Sequence, residues 1–122
     1  MLSEVYLIAA EAGCKLGGDA AVQGLGYLND IVKRGNPENE VTMADYTLDR
    51  VLDERSKELV GEGHRFFDLL RNGKTIIRKG GYHLPSVDEE VDWDFYKCVL
   101  PIPEDQFIFS PEMEQNPGYP KS

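Results

Sequence analysis

Glu54-Arg55-Ser56-Lys57-Glu58-Leu59-Val60-Gly61-Glu62-Gly63-His64-Arg65-Phe66-Phe67-Asp68-Leu69-Leu70-Arg71 is the stretch on which the fold turns, because it puts charges on faces that its apolar residues must bury. Leu48, Leu52 and Leu59 recur at helical spacing, and the same stripe passes through Arg55 and Glu62. A guanidinium and a carboxylate are therefore expected to face the core, where a lone charge is prohibitive. Partners stand at short helical intervals: Arg55 with Glu58, Arg65 with Asp68, and Asp68 with Arg71. The stretch reads as a structural ionic network of Glu54, Arg55, Glu58, Glu62, Arg65, Asp68 and Arg71. A helix beginning near Thr42 or Thr47 is expected to run to about Val60. Gly61 and Gly63 then frame a tight corner into a short helix, His64 to Arg71, closed by Asn72-Gly73.

Upstream, Ser3 is placed to cap a helix through Leu16 that stops at Gly17-Gly18. Glu4, Glu11 and Lys15 lie on one narrow strip of it and almost everything else is apolar or small, so it belongs inside a larger assembly of helices. Left bare, it predicts self-association of the isolated chain. Asp19 suits the cap of a second helix with a buried stripe of Ala21, Leu25, Leu28 and Val32, ending near Lys33-Arg34-Gly35. Gly24 and Gly26 inside it each cost about 1 kcal/mol relative to Ala, so either a neighbouring helix comes close or the helix breaks there. Asn36 to Val41 reads as a loop. The order is two helix hairpins, within reach of helix-turn-helix solenoid repeats although no tetratricopeptide consensus is spelled out.

Beyond Lys74 the helical pattern dissolves into Gly80-Gly81, an acidic run from Asp88 to Asp94, the extended Val99-Leu100-Pro101-Ile102-Pro103 and a Pro-rich end. Trp93, Phe95, Tyr96, Val99, Leu100, Ile102, Phe107, Ile108 and Phe109 are too many apolar anchors for a disordered tail, so an irregular but docked segment is expected. Pro103-Glu104-Asp105 suits the start of a short helix, and Asn116-Pro117-Gly118-Tyr119 a type II turn. The expected fold class is all-α: two tetratricopeptide-like hairpins over 1–73 followed by an irregular acidic tail over 74–122, one region in all.

Composition narrows function. The formal net charge of −9 over 122 residues argues against nucleic acid, which needs clustered Lys and Arg. The acidity is concentrated: Ser86 to Ser122 carries nine acidic residues against two basic. No segment is long and apolar enough to span a membrane, and no export signal is read at the start. Cys14 and Cys98 lack paired ligand spacing, which excludes a zinc site of the usual kind; Cys14 reads as a free buried thiol.

Glu54, Glu58 and Glu62 repeat every four residues, as in helical di-iron proteins, but no Glu-x-x-His pair accompanies them and no metal is expected. Asp88 to Asp94 lacks the Gly and terminal Glu of a calcium loop and reads as a solvated loop. Trp93 and Tyr96, beside Asp92 and Asp94, could stack a sugar ring; fastening the tail onto the helices is the plainer role. No nucleophile motif or phosphate loop is present, so neither catalysis nor a cofactor is expected.

Three segments together resemble the C-terminal region of the SusD/RagB family of outer-membrane nutrient-binding lipoproteins. They are Ser3-Glu4-Val5-Tyr6-Leu7-Ile8-Ala9-Ala10-Glu11-Ala12 with Leu28-Asn29, then Glu54 to Leu59 leading through Glu62-Gly63-His64-Arg65 to Asp68-Leu69-Leu70-Arg71, and finally Leu100-Pro101-Ile102-Pro103 with Gln115-Asn116-Pro117-Gly118-Tyr119. The resemblance implies a helical, surface-exposed, non-enzymatic protein that captures glycan or oligopeptide for a TonB-dependent transporter. It also implies that this chain is a fragment of a longer parent. An autonomous helical protein-interaction scaffold is the alternative.

Overall fold

The computed structural model describes residues 2–77, 90–91 and 99–120, and it forms two compact units, Met1–Leu69 and Leu70–Ser122. In the first unit α1 (Leu2–Leu16), α2 (Gly18–Gly35), α3 (Leu48–Glu58) and the start of α4 (His64–Arg71) follow one another. α1 packs along α2, and α3 packs on α1. One core cluster joins them: Leu7 and Ala10 from α1, Leu28, Ile31 and Val32 from α2, Val41 and Tyr46 from the connecting loop, and Val51 from α3. Leu7, Leu28 and Val51 are fully buried, each contributing about 1.5–3 kcal/mol by leaving water.

The α1–α2 joint is tighter than the sequence suggests. Gly17, at φ +75°, is the sole residue between the helices, in a backbone region other residues avoid. α2 therefore starts ahead of Asp19, which lies in its first turn instead of capping it. Gly24 sits where α1 and α2 cross. A Cβ there would lie 3.1 Å from the Gly13 Cα and 3.2 Å from the Ala10 carbonyl oxygen, and it would also collide with the Tyr46 hydroxyl. The helix runs unbroken through both glycines, but only Gly24 has a packing reason, for Gly26 has open space around it.

Tyr46 closes this crossing, donating its hydroxyl proton to the Ala10 carbonyl. Asn29 holds the incoming loop: its side-chain amide donates to the Val41 carbonyl (3.0 Å) and its oxygen accepts from the Val41 N–H (2.8 Å). Thr47 caps α3, accepting from the Arg50 N–H at 3.2 Å, which settles the start of that helix at Leu48. Its end falls at Glu58, short of Val60, and Gly61 and Gly63 (φ +80° and +77°) turn the chain into α4.

The polar strip of α1 is only partly solvated, with Lys15 exposed and Glu4 half-buried. Glu11 is buried, with Lys15 reaching over it at 2.8 Å, because the same face carries Leu7 and Ala10 into the core. The solvent side of α1 instead carries Leu2, Val5, Ile8, Ala12 and Leu16.

In the second unit a two-residue antiparallel pairing, Ile76 with Val91 and Ile77 with Glu90, joins β1 (Ile76–Ile77) to β2 (Glu90–Val91), a ladder the irregular reading did not contain. α5 (Glu104–Phe109) starts after Pro103. Of the expected apolar anchors that are described, Phe107 is buried and Ile102 half-buried, whereas Val99, Leu100, Ile108 and Phe109 are exposed. A helix of six residues turns less than twice, so few of its side chains can point inward.

Two of the motifs quoted above meet here. Between Pro101 and Pro103, which have no N–H, the Ile102 N–H is the one available donor, and the Gln115 side chain accepts from it (2.8 Å) and donates back to the Ile102 carbonyl (3.0 Å). Asn116 adds a bond to the Leu100 carbonyl at 2.7 Å. The turn from Asn116 closes with Tyr119 N–H donating to the Asn116 carbonyl at 3.2 Å, around Gly118 at φ +89°.

Candidate functional site

Arg55 and Asp68 form the centre of the first unit's charged cluster. The Arg55 Nε donates to Asp68 Oδ2 at 2.8 Å, and their side chains are only 4% and 5% exposed. Arg55 faces inward on the stripe of Val51, Leu52 and Leu59, and the Gly61–Gly63 corner folds α4 back so that a carboxylate 13 residues later meets it. Among the described residues the Arg55 Nη1 has no hydrogen-bond partner although it is buried, so the pair is held by one strong contact rather than a two-pronged one.

The pairing differs from the short-range scheme read along the chain. Glu58 bonds Arg34 of α2, not Arg55, because three helical positions carry it away from the buried stripe. Arg65 donates to the Leu52 carbonyl (3.0 Å), 3.9 Å from Asp53, instead of pairing with Asp68. Glu54 takes Arg50 at 2.7 Å, with Lys57 4.0 Å away. Glu62 was expected to face the core and is exposed, since the helix ends before it and the stripe's register stops there. Arg71 is exposed at the end of α4.

Around this centre the helices are tied at one end. Arg34 on α2 lies between Glu58 on α3 and the Ser3 hydroxyl on α1, which accepts from it at 3.4 Å. The hydrogen bonds from Arg34 and from Ser3 hold the Glu58 carboxyl below its ordinary range, against the opposing effect of burial. His64 stands 3.8 Å from both Glu4 and Glu62, linking the starts of α1 and α4. Deeper in, burial and then the neighbouring Cys14 push the Tyr46 hydroxyl up to about 12, and burial and then Glu11 push the Cys14 thiol up. Cys14 is a free thiol whose Sγ lies 4.0 Å from the Tyr46 carbonyl.

Two open hollows flank the cluster. One, of about 210 Å³, lies between α1 and α2 and is lined by Leu2, Ser3, Tyr6, Asp30, Ile31 and Arg34; Tyr6 also meets Tyr27 edge to face at 5.5 Å. The other, about 530 Å³, lies at the α3–α4 corner, with Leu59, Val60, His64 and Phe66 in its wall. Its wall is mostly apolar, and the guanidinium of the first hollow is already engaged with Glu58 and Ser3. Among the described residues no three ligand side chains gather to hold a metal, and Glu54 and Glu58 are each bound to an arginine. Trp93 and Tyr96, with their stacking role, lie outside the described residues, as do the acidic run's Asp88, Asp92 and Asp94, and Cys98.

Three side chains of this arrangement were not legible as such: Tyr46, Arg34 and the pairing role of Asn29. Arg34 read as a C-terminal helix charge, and nothing in its neighbourhood announces a partner 24 residues on. The glycine pair Gly13 and Gly24 was the available hint to Tyr46, since a gap between two helix backbones needs something to seal it.

Fold and cluster together define, among the described residues, a mostly helical hairpin protein in which ionic side chains fasten helices to one another. A sequence profile of the SusD family matches residues 2–119, nearly the whole chain. The chain belongs to the SusD/RagB family. It is 33% identical over 125 residues to the starch-binding protein SusD of Bacteroides thetaiotaomicron, a match covering 97% of this chain and 20% of that protein. With SusD-like protein P25 of Formosa agariphila it shares 29% identity over 136 residues, 97% of this chain and 24% of that one. The crystal structure of a SusD superfamily protein from Bacteroides vulgatus superposes with a TM-score of 0.91 at 98% identity, over 98% of this chain and 27% of that one. The chain thus spans about a fifth to a quarter of the length of the proteins it matches. Members of this family are binding proteins, not enzymes.

Proposed function

We propose that this chain is the C-terminal part of a non-enzymatic, cell-surface nutrient-binding protein that captures glycan or oligopeptide and passes it to a TonB-dependent transporter in the outer membrane. The observation that carries the reading is the family match over residues 2–119, with a relative that is itself a starch-binding protein. The site agrees in character: Arg55 and Asp68 are sequestered from any ligand, and the polar groups around them are engaged helix to helix. In this reading residues 1–122 act as one region, with the ionic network of 1–73 as scaffold. Trp93 and Tyr96, in the tail over 74–122, are its candidate stacking residues. Ligand contacts that set affinity then come mainly from the rest of the longer parent.

The test is isothermal titration of the full-length parent against starch, other glycans and oligopeptides, beside an assay for newly released reducing ends. Binding without release supports the reading; release by pure protein, or a folded parent that binds nothing on the panel, refutes it. A second reading, an autonomous helical interaction scaffold, draws on the exposed apolar face of α1. It gains if the parent binds no nutrient while the 122-residue chain captures a partner protein.

A further inference from the structure

Asn72-Gly73, the pair that follows Arg71 at the end of α4, has a reactivity of its own. An asparagine side chain can be attacked by the backbone nitrogen of the next residue, and glycine in that place leaves the approach open because it has no Cβ. Asn72 is the one asparagine of the chain with glycine after it. Asn36 and Asn116 precede prolines, whose nitrogen has no hydrogen to lose, Asn39 precedes a glutamate, and Asn29 lies inside α2 with its side chain bound to Val41. Among the described residues nothing stands within 4 Å of where a Gly73 Cβ would be, so packing does not bar the reaction. The helix end does. The Gly73 N–H donates to the Leu70 carbonyl at 3.1 Å, with Gly73 at φ +61°.

We propose that Asn72 is a site of spontaneous deamidation gated by the last turn of α4. When that turn opens, the Gly73 nitrogen attacks the Asn72 Cγ, its proton passing through solvent to the leaving group. The bond from Cγ to the side-chain nitrogen breaks, ammonia departs and a cyclic succinimide closes. Water then opens the ring at either carbonyl, giving aspartate or isoaspartate. An amide and a water have become an acid and ammonia, and nothing is oxidised or reduced. While the turn is closed, the same nitrogen holds its proton in the bond to Leu70, and bringing it onto Cγ requires that bond to break. The controlling event is thus a local opening within the chain, which asks for no ligand and no docking partner. Its product works against the fold. A new carboxylate stands at the C-terminal end of α4, where the helix dipole disfavours negative charge. Isoaspartate also adds a methylene to the main chain, which takes the Gly73 N–H out of register with the Leu70 carbonyl. The inference stands apart from the nutrient-binding reading.

The test ages the folded full-length parent beside the same protein unfolded in guanidinium chloride, at neutral pH, with samples taken over time. Cleavage after glutamate releases residues 63–89, a peptide with no asparagine but Asn72 and no glutamine, so the mass gain of an amide turned to acid belongs to that residue. An isoaspartate-specific methyltransferase then labels the isoaspartate product. The acid form should accumulate in both samples, at least about threefold more slowly in the folded one. Arg71→Gly, which loosens the last turn, should bring the two rates closer together. Gly73→Ala should slow conversion severalfold in guanidinium, where folding plays no part. No acid form in guanidinium, equal rates in the two states, a ratio unmoved by Arg71→Gly, or undiminished conversion in Gly73→Ala each overturns the inference.

Discussion

Removing Asp68 puts the heaviest demand on the structure. Asp68→Ala leaves the Arg55 guanidinium where it is, 4% exposed, with its Nε newly unpartnered beside an Nη1 that has no partner among the described residues. Breaking one side of a buried pair costs about 3–5 kcal/mol, because the remaining charge stays out of water. Domains of this size are stable by about 5–15 kcal/mol, so about a fifth or more of the total is at stake. With a urea slope of about 1–3 kcal/mol/M, the midpoint should fall by about 1–5 M. Arg55→Met should destabilise in the same range. The double replacement Arg55→Met/Asp68→Leu should recover most of the loss, since an apolar pair of similar volume needs no compensation, and the coupling across the cycle should reach about 2 kcal/mol or more. Urea unfolding followed by circular dichroism reads all four proteins. A midpoint unmoved in Asp68→Ala, or a double mutant worse than either single one, would show that water reaches the pair and that the burial argument fails.

Gly24→Ala should lower stability by about 1–3 kcal/mol in thermal unfolding despite the better helix propensity, because its Cβ has no room against Gly13 and Tyr46; Gly26→Ala, with open space, should gain up to about 1 kcal/mol. Tyr46 keeps its proton up to about pH 12 when folded but loses it near 10 when unfolded, so the folded state is fully favoured below pH 10 and loses support as pH rises from 10 to about 12; Tyr46→Phe should flatten that alkaline decline in equilibrium unfolding. The Glu58 carboxyl is held low in the fold, so its contribution is complete above the ordinary carboxylate range and fades as pH falls through the depressed value. Arg34→Gln should lessen that acid dependence, measured as the difference in unfolding midpoint between neutral buffer and buffer acidic enough to lie below the ordinary carboxylate range.

Helix periodicity carried the reading wherever partners were close in sequence. Leu28, Val32, Leu52 and Leu59 sit where their stripes put them, and Thr47, Gly61, Gly63 and Pro103 mark boundaries by local chemistry alone. The charge pairing could not be read the same way. A charged residue on a helix sees neighbours three and four positions off, but the corner at Gly61 and Gly63 exchanges those for a residue 13 away, and Arg34 finds Glu58 24 residues on. Periodicity also failed for Glu62, where the stripe outran the helix. Leu100 to Pro103 read as extended from its prolines. That Gln115 and Asn116 hold it was hidden because side-chain bonds to a distant backbone leave no local mark.

The single-residue joint at Gly17 has a mechanical corollary. With no slack between α1 and α2, neither helix can swing outward while the other stays seated, and the Gly13–Gly24 contact leaves no cushion of side chains for either to slide upon. Opening the hairpin therefore means losing both helices in one step, so their amides should exchange with deuterium together while the loop after Gly35 exchanges earlier and on its own.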